Sequence, residues 1–111
     1  MSNACDYCRP DAKRLSQEEA QHELNALIGW SLIDENQERL KLQRQFPFPD
    51  FASALHFTNQ VGEFAEKVGH HPDLYTAWGK VIVVWYTHKI QGVQVGDFLC
   101  AAETDRIYSQ G

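Results

Sequence analysis

The 111-residue chain predicts an α+β fold: a four-stranded antiparallel sheet with three helices packed on one face, in the order α-β-β-α-β-β-α. Three observations carry this reading. Apolar residues recur at helical spacing in three segments, which places three helices. Two pairs of short strand-like segments, each pair split by a polar or glycine turn, fall between those helices and read as hairpins. Hairpins separated by helices build an antiparallel sheet with helices on one face, not a parallel sheet wrapped by crossovers.

The elements follow in order. Residues 1–14 read as a flexible tail and 15–111 as a single domain. Ser16 and Glu19 have the spacing of a capping box, with Leu15 placed for a hydrophobic staple. Ala20, Leu24, Leu27 and Ile28 mark one face of a helix over 17–28, which Gly29 ends. Residues 30–34 and 39–46 form the first hairpin; Leu40, Leu42 and Phe46 give its second strand one dry face. Pro47 to Asp50 opens the next helix. Phe51, Ala54, Phe57, Val61, Phe64, Ala65 and Val68 mark that helix, Gly69 stops it, and Pro72 forbids its continuation. Residues 74–78 and 80–88 form the second hairpin around Gly79. The strand over 80–88 is apolar on both faces, so it is central or is covered by a partner or a pocket. Val95, Phe98, Leu99 and Ala102 mark the last helix.

Composition narrows the function. Apolar residues make up 43% and the formal net charge is −5. No basic run offers a nucleic-acid face. The longest apolar run, Val81 to Tyr86, is too short to span a bilayer. The N-terminus lacks the regions of a secretory signal, so the expected location is cytoplasmic. Three cysteines without such a signal argue against a disulfide framework. Cys5 and Cys8 form a CxxC that lacks a preceding strand and reads as a solvated pair. Cys100 reads as a core residue.

The chemistry-bearing residues cluster near two turns. His70 and His71 stand side by side at the exit of the second helix. His88 ends the central strand. An imidazole titrates near neutrality, so such a group can give and take protons without large pKa shifts. Each residue also fits a structural role. His70 suits a helix C-cap, His71 a turn, His88 a strand end, Asp97 the first turn of a helix, and Glu66 a solvated acid. His22 and His56 read as surface residues. Zinc is disfavoured, because adjacent histidines diverge and no i, i+4 ligand pair is present. The residues alone leave the choice between these roles open.

In combination, Glu66-Lys-Val-Gly-His70-His71-Pro72, Trp78-Gly-Lys80, Thr87-His88, Gly92 and Asp97-Phe98 resemble the pterin-4a-carbinolamine dehydratases. The likeness extends back through Phe46 to Phe51 and Gly29-Trp30. The Cys5/Cys8 tail resembles that of bacterial members. The resemblance implies removal of water from 4a-hydroxytetrahydropterin by histidine acid/base catalysis, giving quinonoid dihydropterin, with no metal or other cofactor. It implies His70 and His88 as the acid/base pair, His71 as a third catalytic-site imidazole that positions the pterin, and Asp97 and Glu66 as orienting carboxylates. Gly69, Pro72, Tyr86, Thr87, Lys89 and Trp30 would line the substrate. It further implies a homodimer or homotetramer and an aromatic amino acid hydroxylase as supplier of the pterin. Gly69 and Gly96 depart from family positions that often carry polar side chains. The competing reading is a non-catalytic dimerisation or coactivator module on the same fold.

Overall fold

The computed structural model describes residues 13–35 and 39–110. Residues 1–12, with Cys5 and Cys8, and residues 36–38, where a polar turn is expected from the sequence, lie outside the described residues. The elements are α1 (Gln17–Leu24), β1 (Ser31–Glu35), β2 (Arg39–Pro47), α2 (Phe51–Val68), β3 (Asp73–Ala77), β4 (Lys80–Trp85) and α3 (Val95–Gln110), with a 3-10 turn at His88–Ile90. The strands form one antiparallel sheet in the order β1-β2-β4-β3. The expected α+β class and element order are what the chain adopts.

Register explains the core. Leu42 pairs with Trp85, Arg44 with Val83 and Phe46 with Val81. Alternation along each strand therefore sends Leu40, Leu42, Phe46, Val81, Val83 and Trp85 to the helix-covered face, and all six are buried. Ala54, Phe57, Val61 and Ala65 of α2 meet them there. Phe46 is the hub of a ring cluster, with centroids 4.9 Å from Phe57, 4.8 Å from Tyr108 and 6.0 Å from Trp30. The opposite face carries Lys41, Gln43, Asp73, Tyr75, Ile82 and Val84, several of which border a shared depression. No helix among the described residues is long and apolar enough to cross a membrane.

Helix ends follow local chemistry. The Ser16 hydroxyl accepts from Glu19 N–H (3.1 Å) while the Glu19 carboxylate accepts from Ser16 N–H (2.9 Å). The Asp50 carboxylate caps α2 by accepting from Ser53 N–H at 2.8 Å. Gly69 ends α2 in the left-handed region, φ 70°, where a residue without a Cβ is favoured.

Three expectations need correction. The first helix ends at Leu24, not residue 28. Beyond it the chain continues in single turns (Ala26 N–H to Glu23 O, Leu27 N–H to Leu24 O), and Ile28 points outward, 89% exposed. The central strand ends at Trp85, not His88. Thr87 instead pairs with Gly92 in an isolated bridge, and Gln91 at φ 51° turns the loop between them. The last helix buries a different face from the one its apolar residues marked. Val95, Leu99 and Ala102 are exposed, while Asp97, Phe98, Cys100, Ala101, Thr104 and Ile107 are buried. That inner face tolerates polar groups because each is bonded. The Thr104 hydroxyl accepts from the Trp85 indole N–H (2.9 Å) and donates to Cys100 O (2.8 Å).

Candidate active site

The site is built where the end of α2, the loop after β4 and the start of α3 meet. Gly69 turns the chain out of α2, with its N–H on Ala65 O at 2.9 Å. The turn sends the next two side chains in opposite senses. His70 goes inward and is 5% exposed. Its imidazole lies nearly parallel to the Trp85 indole, at 5.5 Å and 28°. Its Nε2 sits 2.6 Å from Asp97 Oδ1. His71 goes outward, with more than half its side chain exposed, and its Nε2 sits 2.5 Å from Glu66 Oε2.

Asp97 is wholly buried yet fully engaged. One oxygen faces His70. The other accepts from the Thr87 hydroxyl (2.7 Å) and from Gln94 N–H (2.9 Å). The Gln94 side-chain amide donates to Thr87 Oγ1 at 3.1 Å, closing the network. Asp97 is the third residue after Gln94, so its bond to Gln94 N–H is one half of a capping box. A negative charge in the first turn of α3 is also favoured by the helix dipole. One carboxylate thus starts a helix, holds a hydroxyl and orients an imidazole.

His88 occupies a different setting. It is exposed, with its ring 4.4 Å from that of Tyr86. Both border a cavity of about 280 Å³ whose other wall is Arg39, Leu40 and Lys41, with Gln91 at the loop. Lys41 Nζ lies 4.3 Å over the Tyr86 ring. Burial first, and the Asp73 carboxylate second, push the Tyr86 phenol above its ordinary pKa, with Lys41 opposing.

The structure therefore brings His70, Asp97 and Thr87 into direct contact and joins His71 to Glu66. None of the hydrogen bonds of His70 and His71 reaches His88, and neither residue borders the His88 cavity. Pro72 follows directly on His71, and Lys89 lies exposed in the 3-10 turn beside His88. Trp30 sits in the core, its indole N–H shared between the oxygens of Asp105 at 2.9 and 3.1 Å. Among the described residues, no group of three or more His, Cys, Asp or Glu is arranged to hold a metal ion. Sequence reasoning passed over Gln94 and Trp85. The Gln94-to-Asp97 spacing was the available signal for Gln94, while nothing in the sequence announced that Trp85 would stack on His70.

The chain has counterparts among known proteins. The family described as Pterin 4 alpha carbinolamine dehydratase matches residues 13–107. The chain is 45% identical over 103 residues to a Nitrosococcus oceani protein named "Putative pterin-4-alpha-carbinolamine dehydratase", covering 93% of this chain and 90% of that one. A Chlorobaculum tepidum protein of the same name is 46% identical over 103 residues, covering 93% and 92%. Among solved structures, one titled as a transcriptional coactivator/pterin dehydratase from Brucella melitensis superposes with a TM-score of 0.77 at 36% identity, covering 86% of this chain and 98% of that one. A pterin dehydratase-like RuBisCO assembly factor shares the fold alone, with a TM-score of 0.61 at 18% identity over 74% of this chain and 92% of that one. The chain belongs to the pterin-4a-carbinolamine dehydratase family.

Proposed function

We propose that this protein dehydrates a 4a-hydroxytetrahydropterin to the quinonoid dihydropterin by histidine acid/base catalysis. The C4a–O bond breaks, N5 gives up its proton, a C4a=N5 double bond forms, and the departing oxygen leaves as water after gaining a proton. The reaction has no redox change, so a proton acceptor near N5 and a proton donor near the C4a oxygen suffice. The observation that supports this best is the buried Asp97 clasped by His70, Thr87 and Gln94. A small domain bears the desolvation of a carboxylate beside an imidazole where the family signature falls.

Exposure supports a division of roles. His71 and His88 are the imidazoles that a dissolved substrate can reach, so they carry the proton transfers. His71 is oriented by Glu66. His70, with Nε2 committed to Asp97, is a positioning residue that fixes the turn from which His71 projects. This moves the proton-transfer role that the resemblance gave to His70 onto its neighbour. An aromatic amino acid hydroxylase would supply the substrate, and assembly into homodimers or homotetramers follows from the same family reading.

Stopped-flow dehydration of a synthetic 4a-carbinolamine tests the proposal. His71→Ala and His88→Ala should each lower the catalysed rate by about 10²–10⁴-fold with an unchanged melting temperature, since both side chains are exposed. Near-wild-type turnover in both variants would reject the mechanism. A wild-type rate no faster than buffer would favour a non-catalytic module, the role suggested by the coactivator in the Brucella melitensis title.

A further inference from the structure

The loop that carries His88 is strained and needs holding. Gln91 lies at φ 51°, the one non-glycine residue with a positive φ among the described residues. Such a conformation persists where the surroundings over-determine it. The loop closes on itself at its base, with Thr87 N–H on Gly92 O at 2.7 Å and Gly92 N–H on Thr87 O at 3.3 Å. From inside, the Thr87 hydroxyl is tied to Asp97.

From outside, the loop is held by the segment that leads into α1. Leu15 N–H donates to Val93 O at 2.9 Å, one residue past the loop base. Leu15 packs on the core, and the capping box of Ser16 and Glu19 ties the next residue to α1. Just before this anchor, the Arg14 stem lies directly on Gly92. A methyl at Gly92 would sit 2.6 Å from Arg14 Cδ and 2.8 Å from its Cγ, where non-bonded carbons rest at about 3.5–4.0 Å. The next atom it would meet, at 3.9 Å, is Arg14 Nε. Gly92 lies outside the left-handed region that favours glycine, so its backbone would accept alanine. The stem lying on it, not the turn, is what requires glycine there.

We infer that Arg14 and Leu15 form a strap over the His88 loop, and that the Arg14 stem is a positioning contact that aligns the His88 imidazole for proton transfer. The inference rests on the dehydratase reading, in which His88 transfers a proton. Arg14 acts through the loop and needs no contact with substrate. The contact is made by methylene carbons, so it depends on the stem and not on the charge. Misplacing a reacting group by about 1 Å can cost about 10²-fold in rate, so a small displacement of the loop reads strongly in kcat.

Stopped-flow dehydration and proton NMR of the full chain test it together. The His88 ring lies 4.4 Å from the Tyr86 ring, so its resonances carry a ring-current shift that reports where the loop sits; His88→Gln assigns them. Gly92→Ala should lower kcat about tenfold with KM within about twofold, and the His88 resonances should move. Arg14→Ala, which only loosens the strap, should lower kcat about threefold. Arg14→Ala/Gly92→Ala removes the obstructing stem and should return to the level of Arg14→Ala, with the resonances back near their wild-type positions. Arg14→Met keeps an unbranched stem without the charge and should lose less than Arg14→Ala. Should Gly92→Ala fail to fold, the double variant must restore both fold and rate. Wild-type kcat and unmoved resonances in Gly92→Ala would overturn the inference, as would a loss that the double variant does not recover or an Arg14→Met chain as slow as Arg14→Ala. A wild-type rate no faster than buffer would remove the dehydratase reading alone; the strap would then stand or fall on the His88 resonances, which must shift in Gly92→Ala and return in the double variant.

Discussion

Replacing Asp97 tests how much the buried network contributes. Asp97→Ala would strip three donors of their acceptor at once: the His70 ring, the Thr87 hydroxyl and the Gln94 backbone N–H. Each unsatisfied buried donor costs about 1–3 kcal/mol, which sets a ceiling of about 9 kcal/mol. The hydroxyl can rotate and the imidazole can move its proton, so the expected loss is about 3–5 kcal/mol, the range for breaking a buried pair by removing one member. Asp97→Asn is milder. Its amide oxygen can keep Thr87 and Gln94, while its NH₂ meets His70 and forces that ring to carry its proton on Nδ1. About half the alanine loss is expected. Urea unfolding measures both. With a slope of about 1.5 kcal/mol per molar, the alanine variant should lose about 2–3 M in midpoint. A midpoint within about 0.5 M of wild type would mean that Asp97 is no keystone, and would refute the argument that burial makes its three bonds costly to lose. The asparagine variant has a second readout: the pH–rate profile should shift as well as fall, because the ring that fixes the His71 turn changes tautomer.

Two further outcomes follow from the fold. Phe46→Ala should cost about 3–5 kcal/mol, since Phe46 is fully buried among Phe57, Tyr108 and Trp30; a loss under about 1 kcal/mol by denaturant titration would show that the cluster collapses around the gap. Backbone hydrogen bonds, from Ser16 and Ser53 respectively, are the largest cause holding the Glu19 and Asp50 carboxyls below their ordinary pKa. Groups with a lowered folded pKa stabilise above the unfolded value and lose that contribution as pH falls through the folded one. Stability should thus decline on acidification through the ordinary carboxylate range, and Glu19→Ala/Asp50→Ala, which removes both titrating groups, should flatten that part of the profile; an unchanged slope would show that the caps do not titrate with folding.

The order of elements was legible because the sequence punctuates itself. Capping residues precede α1 and α2, glycine closes α2 and turns β3 into β4, and Leu40, Leu42 and Phe46 alternate cleanly. The last helix was misread for a physical reason. Its inner face holds Asp97 and Thr104, whose polar atoms are met by His70, Thr87 and Trp85, while Val95 and Leu99 stay outside. Hydropathy registers an isolated side chain, not a hydrogen bond completed by a residue far along the chain. The extent of β4 was overstated for a similar reason. The apolar run continues to Tyr86, but pairing stops at Trp85 because the chain folds onto its own Thr87–Gly92 bridge.

The site shows the same division between what neighbours decide and what distance decides. The family motif marked the pair His70-His71 and implied the proton-transfer role for the first of them. The fold separates them by one left-handed glycine. Gly69 at φ 70° points the first imidazole at Trp85 and Asp97, where it is held on both its face and its edge, and leaves the second on the surface against Glu66. A rigid buried ring next to an accessible one is a sound arrangement for proton transfer. The accessible group can meet substrate and solvent, while its anchor keeps it from the rotations that would spoil alignment. On the proposed mechanism the conformation of Gly69 is thus as much a part of the chemistry as either histidine, because it is the turn that leaves His71 accessible.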